Sequence, residues 1–413
     1  PRSTLFPYTT LFRSLAAAGT SFSLSYSANP VCCPARTCWY TGRASSENGV
    51  IMNDQWPIAP DMPDMGQWLG ARGYDPVYAG KWHITGRAFT QSFRVLTPGS
   101  GIGEVTDMAV SRAAEGFLRS RKAGGKPFFL NLGFLQPHDC CYWVFEHGDG
   151  TPLTRLGAIP ADLPPLPPNH GCDPNEPEAL RRRRGEKKAA WSAEHWRWYL
   201  WNYYRMVEMA DAEIGRVLDA LEDAGLAEET LVILTADHGD GLARHGLTSK
   251  MFLYDEAARV PFIAAWPGRL QAGKRDVRHL VSGLDVAPTL CDLAGIEGLP
   301  KARGRSLRPL REGRNDAAWR EFLVSETFRT GRMVRTPEYK YVAYQGDPVT
   351  QLFDMRADPG EMRNLAPEAA KADVVRDLAG RLAAWESELE IFPLKEPGPK
   401  APPGRRRGGR APA

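Results

Sequence analysis

Apolar and polar residues change period repeatedly along this chain. Near the start, LAAAGTSFSLSYSANPVC reads as the end of a helix, a glycine stop, a short alternating strand and a turn. PDMGQWLGARG predicts a short helix ended by Gly73, and YDPVYAGKWH a strand running into a loop. EVTDMAVSRAAEGFLRSRKAGGKP has the spacing of an amphipathic helix with a Gly-Gly stop. PFFLNLGFLQPH is a near-continuous apolar run, the pattern of a strand buried on both faces. Residues 140–190 are rich in Pro, Asn and Asp and read as a long irregular insertion. A long helix follows, with Val207, Ala210, Ile214, Val217, Leu218 and Leu221 on one stripe. TLVILTADHG and VPFIAAWPG then predict two more buried strands.

This alternation predicts an α/β fold, a mostly parallel central sheet with helices on both faces. After about residue 310 the pattern changes. EFLVSETF, GRMVRTP, YKYVAY and TQLFDM are short strands joined by turn residues, and a helix follows over about Glu368–Glu388. A small antiparallel sheet with one packing helix is expected there. The expected organisation is a catalytic domain over 15–310, a C-terminal α+β subdomain over 311–392 and a disordered basic tail over 393–413.

Composition narrows the function classes. The chain has 413 residues, 43% of them apolar and 24% charged, with a net charge of +3. A near-neutral balance implies no general affinity for nucleic acid or membranes. No run of eighteen apolar residues exists, so no membrane span is expected. The first fourteen residues, PRSTLFPYTTLFRS, resemble the translation of a sequencing-library adapter and are expected not to be native. Genuine sequence would then begin near Leu15, within an element.

In parallel α/β sheets, ligands bind outside the carboxyl ends of the strands. Lys81 and His83 follow one predicted strand. His138 follows a second, after a proline, and Asp237 and His238 follow a third, with His245 and Lys250 beyond. The segment NPVCCPARTCWYTGR adds Cys32 and Arg36. Cations and imidazoles suit a tetrahedral oxyanion. Asp237 beside His238 suits a divalent cation. Pro34 suits the first position of a helix, which would set Cys32 beside a helix N-terminus. Together these groups predict hydrolysis or transfer of a sulfate or phosphate group by a nucleophile and a metal.

The spacing of Cys32, Cys33 and Cys38 lacks the paired Cys-x-x-Cys units of a zinc knuckle. Three residues between Cys32 and Arg36 are too few for a thiol-phosphatase loop, and a Cys32–Cys33 disulfide would be strained. Cys140 and Cys141 read as packing residues or disulfide partners.

CCPARTCWYTGR resembles the sulfatase signature, Cys-x-Pro-Ser/Ala-Arg followed by Thr-Gly-Arg. The Gly-Lys-x-His, Pro-His and Asp-His segments resemble further sulfatase stretches in the same order, as do LDVAPTLCDLAGI and QLFDMRADPGEMRNLA. The resemblance covers about residues 15–390 and implies the alkaline-phosphatase-like fold. It implies that Cys32 is oxidised to formylglycine by a formylglycine-generating or sulfatase-maturating enzyme, with Pro34 and Arg36 completing the recognition core. Cys33 fills the variable position, and Ala35 stands where serine is commoner.

The same resemblance implies a mechanism. The aldehyde hydrates, one oxygen attacks sulfur, and the second hydroxyl expels sulfate. Asp237, His238 and the oxygen at position 32 would hold a divalent metal, Ca2+ or another such as Mg2+. Arg36, Lys81 and His83 would hold and assist the hydrated aldehyde. His138 and Lys250 would bind sulfate or protonate the leaving oxygen. The implied substrate is a sulfate ester, of a sulfated carbohydrate or an aryl compound. The alternatives are a phosphonate monoester or phosphodiester hydrolase on the same fold, or a catalytically incomplete chain. Relatives are often periplasmic or secreted. The family's strand ending in two metal-binding aspartates has no counterpart here, so an N-terminally truncated chain is expected. A basic, aromatic segment, Arg181–Arg184, Lys187 and Lys188 with Trp191, Trp196, Trp198 and Trp201, reads either as a lid over a sulfated sugar or, preferably, as a solvated charge run before a helix with packing tryptophans.

Overall fold

The computed structural model describes residues 10–99, 101–147, 163–185, 191–311 and 319–394. Helix α1 (Thr10–Ala18) leads into strand β1 (Thr20–Tyr26), as the LAAAG pattern predicts. Leu15 packs with Ile263 and Ala265, and the Phe12 amide donates to Asp211 at 3.0 Å. Residues 10–14, set aside in the sequence reading, therefore continue this helix.

The α/β part holds two sheets. In one, β5 (Val232–Thr235), β6 (Phe262–Ala265), β1 and β7 (Lys274–Ser282) lie in that order. Strand β1 is parallel to β7, whereas β6 runs antiparallel to both β1 and β5. In the other, β2 (Asp75–Gly80) lies between β3 (Arg94–Pro98) and β4 (Phe128–Gly133), all parallel. β4 and β5 were expected to be buried on both faces. Both stand at the end of their described sheet, and their side chains are mostly half-buried. Strand β6, paired on both sides, is fully buried, as its apolar run predicts.

Two helices dominate the cover. The helix Gly103–Arg119 packs on the helix Ala193–Asp223, burying Val110, Ala114, Phe117, Val217, Ala220 and Leu221. The predicted stripe is thus the inward face. Segment 140–190 is less irregular than expected. Helices form at Cys140–Glu146 and Glu178–Gly185, with Cys140, Trp143 and Val144 packed against Trp191, Trp196, Trp198 and Tyr199. Those tryptophans are buried packing residues, and Arg181–Arg184 lie on the second short helix. Lys187 and Lys188 fall outside the described residues, as does most of the tail, from residue 395.

A third sheet, antiparallel, has the order β11 (Gln351–Asp354), β10 (Tyr339–Tyr344), β9 (Gly331–Arg335), β8 (Leu323–Thr327). The helix Ala372–Ser387 covers it through Leu378 and Leu382. This sheet braces the turn before Cys32. The Ser325 hydroxyl donates to the Ser27 carbonyl at 2.8 Å and the Glu326 amide to that of Ala28 at 2.9 Å. Lys340, fully buried, pairs with Asp255 at 2.5 Å and Glu361 at 2.7 Å, tying the sheet to the segment after Lys250. Among the described residues no helix is long and apolar enough to cross a membrane.

Candidate active site

The nucleophile candidate sits where a strand, a turn and a helix meet. After β1, helix α2 (Cys32–Thr41) starts at Cys32 itself, with Pro34 in its first turn rather than at its first position. Nine of its ten residues are buried, and Gly42 ends it in the left-handed region at φ 68°. Val31 at the N-cap offers no side-chain acceptor, Asn53 Oδ1 takes the Cys33 amide at 2.9 Å, and the positive end of the helix faces residue 32. Tyr40 fixes the far side of α2 against Trp82, with ring centroids 5.0 Å apart.

Strands β2 and β4 end side by side, with Gly80 opposite Gly133. A Cβ on Gly80 would lie 2.2 Å from the Gly133 carbonyl oxygen, and its φ is +100°, so only glycine fits this close approach. Beyond it, Lys81 is 8% exposed and its carbonyl accepts from Arg36 at 2.8 Å. The loop carrying His138 is anchored by the first turn of Gly103–Arg119, where Asp107 accepts the amides of Leu135 and Gln136 at 2.6 and 2.8 Å.

Asp237 and His238 follow β5. The Arg36 guanidinium donates to Asp237 at 3.0 Å, and both side chains are largely buried. Burial pushes the Asp237 carboxyl up, but the charges of His238, Arg36, Lys81 and Lys250 outweigh this and hold it well below the usual carboxylate range. His238 Nε2 lies 3.2 Å from Cys32 Sγ. Burial likewise raises the Cys32 thiol, yet His238 and Lys250, with hydrogen bonds from His238 and His83, hold it well below the ordinary thiol range. Lys250 reaches Cys32 in turn. His83 touches both Cys32 and Cys33, and these thiol contacts raise it to about 10.

The structure therefore gathers Cys32, Arg36, Lys81, His83, Asp237, His238 and Lys250. His138 is linked less directly, with its Nδ1 3.9 Å from the Sγ of Cys141. Cys141 is neither half of a disulfide nor Cys140 its partner, since all seven cysteines are free. Sequence reading missed Asp240 and Tyr199, which are hydrogen-bonded behind Lys250, with Cys140 Sγ 3.7 Å from Asp240. The DHGD spacing offered a signal for Asp240; nothing local marked Tyr199.

Lys250 rides on a loop with left-handed Leu242, Ala243, His245 and Ser249. His245 pins it. Its ring stacks on Tyr254 at 3.8 Å and its amide donates to the Asn169 carbonyl at 2.7 Å. Burial, then the charges of Arg184, Lys340 and Arg244, lower His245 from 6.5 to about 3. The unfolded chain takes up this proton below pH 6.5 and the folded chain does not, so stability is full above 6.5 and falls as pH drops toward 3. Between pH 7 and 5 the loss from this residue is about 2 kcal/mol. Chemical denaturation of wild type and His245→Gln at both pH values checks this. The variant's pH-dependent loss is expected to be smaller by that amount.

One carboxylate, one imidazole and the atom at position 32 converge here, with their ligand atoms within 4.8 Å of one another. The ionised Asp237 suits a divalent cation, and an oxygen in place of sulfur at residue 32 would complete a harder donor set. A buried candidate nucleophile at a helix N-terminus, ringed by cations and by a carboxylate able to hold a metal at the strand ends, fits a hydrolase of oxyanion esters.

The comparisons narrow that class. A family model described as Sulfatase matches residues 2–296, and one described as N-sulphoglucosamine sulphohydrolase, C-terminal, matches residues 243–388. A Delta 4,5-hexuronate-2-O-sulfatase of Bacteroides thetaiotaomicron is 30% identical, over 88% of this chain and 80% of its own. The solved structure of a 2-O GAG sulfatase matches with a TM-score of 0.82 at 28% identity, covering 92% of this chain and 86% of that one. The phosphonate monoester hydrolase of Agrobacterium radiobacter shares the fold, with a TM-score of 0.76 at 22% identity over 92% of this chain and 90% of its own. The chain belongs to the sulfatase family and is a sulfuric ester hydrolase.

Proposed function

We propose that this enzyme hydrolyses the sulfate ester of a sulfated carbohydrate, using formylglycine made from Cys32 by a maturation enzyme and a divalent cation, Ca2+ in the first instance. The observation that carries this is the placement of Cys32 at the start of α2, 3.2 Å from His238 and in reach of Lys250 and His83. Cys32 Sγ stands in for an oxygen of the hydrated aldehyde, which would supply the nucleophile toward sulfur. Asp237 and His238 would hold the cation, whose chemistry is to neutralise sulfate oxygens.

The chain's own groups do the rest. The α2 N-terminus and Lys250 stabilise negative charge at position 32. Arg36 keeps Asp237 ionised and oriented. His83, raised to about 10, keeps its proton and can donate to the oxygen at position 32, and Lys81 adds positive charge beside it. His138 stands at the rim, where it can bind sulfate or protonate the departing sugar oxygen. The names of the two relatives at 30% and 28% identity both concern 2-O sulfates of uronate or GAG chemistry, which supports a carbohydrate substrate.

Parallel assays with an aryl sulfate and aryl phosphodiester and phosphonate monoester substrates test this reading. The sulfate is expected to lead in kcat/KM by at least about tenfold, a difference of about 1.4 kcal/mol in transition-state binding. A lead for either phosphorus ester would overturn it.

A further inference from the structure

The residue after the nucleophile is a thiol that the sulfatase reading does not use. Cys33 is fully buried, second in α2, and its amide donates to Asn53 Oδ1 at 2.9 Å. That bond draws the 53–54 loop against the helix and brings Asp54 with it. Cys33, Asp54 and His83 each offer a ligand atom within 4.8 Å of the others. His83 Nε2 lies 3.5 Å from Asp54 Oδ1, and the His83 ring also contacts Cys33. The cluster runs from the interior to the surface. Its carboxylate is 77% exposed and its imidazole 28%, so an ion can enter from solvent without the core opening.

The donor chemistry is specific. A thiolate, an imidazole and a carboxylate make the mixed S, N, O set of tetrahedral zinc sites, whereas calcium and magnesium select oxygen. A tetrahedral ion bound at about 2.0–2.1 Å to nitrogen and oxygen holds those two atoms roughly 3.3 Å apart. The Asp54–His83 separation of 3.5 Å is already close to that value. Three ligands leave a fourth position for water or another ligand.

We propose that Cys33, Asp54 and His83 form a second metal site, distinct from Asp237–His238, that takes zinc or another thiophilic divalent cation. Binding releases one proton from Cys33 and one from the His83 imidazolium to solvent, and forms metal–sulfur and metal–nitrogen bonds without change of oxidation state. The ion ties up the His83 imidazole that the catalytic reading needs beside residue 32, so the site is inhibitory. This second half rests on the role proposed above for His83; the site itself does not.

Cobalt(II) reports the site without turnover, through its thiolate-to-cobalt charge-transfer absorption. The titration uses the full chain carrying Cys32→Ala, which removes the neighbouring thiol. One equivalent of cobalt is expected to give the band. Adding Cys33→Ser should abolish it, and adding Asp54→Ala should weaken binding by about tenfold or more. Asp54 is exposed, so its variant tests the site without disturbing the core. No band, or a band unchanged by Cys33→Ser, would overturn the site. Zinc added to the calcium-loaded wild-type enzyme is expected to inhibit sulfate-ester turnover, and Asp54→Ala to raise the half-inhibitory concentration by about tenfold. Equal inhibition of both proteins would place zinc elsewhere and overturn the inhibitory role. A cobalt band in the Cys32→Ala chain, beside a matured wild-type enzyme that turns over no sulfate ester, would leave the site standing and count against the catalytic reading.

Discussion

Replacing Cys32 with alanine is expected to lower sulfate-ester kcat/KM by about 10,000-fold or more. The change removes both the precursor of the nucleophile and the atom around which His238, Lys250 and His83 converge. The fold should survive. Cys32 is 1% exposed and small, so the cavity left costs about 1 kcal/mol, and α2 keeps its packing through Tyr40 and its glycine stop. Thermal unfolding beside steady-state kinetics separates the two effects. A variant that unfolds normally and still turns over substrate at more than a few per cent of wild type would remove Cys32 from the chemistry.

Asp237→Ala should fail on two counts. Its carboxylate neutralises Arg36 at 3.0 Å, and both side chains are largely buried. Removing one partner of a buried ion pair leaves the other charge uncompensated, at about 3–5 kcal/mol. The Lys81 carbonyl still accepts from Arg36, but a carbonyl carries no full charge. The second count is the cation. In wild type, Ca2+ at 100 times its dissociation constant should stabilise the fold by about 2.7 kcal/mol. The variant should lose that increment, and activity with it. Asp237→Asn, which keeps the shape and removes the charge, should follow alanine rather than wild type in both readouts. Retention of calcium-dependent stabilisation in either variant would show that Asp237 does not hold the ion.

Much of the architecture was legible because burial imposes a period. The 3.6-residue stripe from Val207 to Leu221 marked the face that packs on Gly103–Arg119, and alternation with turn residues located all four strands of the C-terminal sheet. Period says which face is buried, but not strand direction or sheet continuity. Hence the antiparallel course of β6 and the half-buried state of β4 and β5 emerged only in three dimensions. In segment 140–190 the many prolines and polar residues masked two short helices held by tertiary packing rather than by local propensity, Cys140–Glu146 on Trp191, Trp196 and Trp198 and Glu178–Gly185 through Leu180 on Leu247, Phe252 and Tyr254.

The site divides in the same way. Residues at strand ends, Lys81, His83, Asp237 and His238, could be placed because topology fixes where strands end. Cys32 could be placed because its motif is dense. Asp54 could not, because its approach to Cys33 depends on one hydrogen bond that the Cys33 amide donates to Asn53 in the loop. Tyr199 could not, because it arrives from the middle of a 31-residue helix that reads as scaffold.

The central claim is that residue 32 acts as an aldehyde and not as a thiol. Mass spectrometry of the peptide containing Cys32, from enzyme produced with and without the maturation enzyme, tests it most directly when paired with turnover of an aryl sulfate. The account predicts that the thiol form is replaced by the lighter aldehyde form, and that turnover rises in proportion to the converted fraction. Full turnover from a preparation in which residue 32 is wholly cysteine would contradict it.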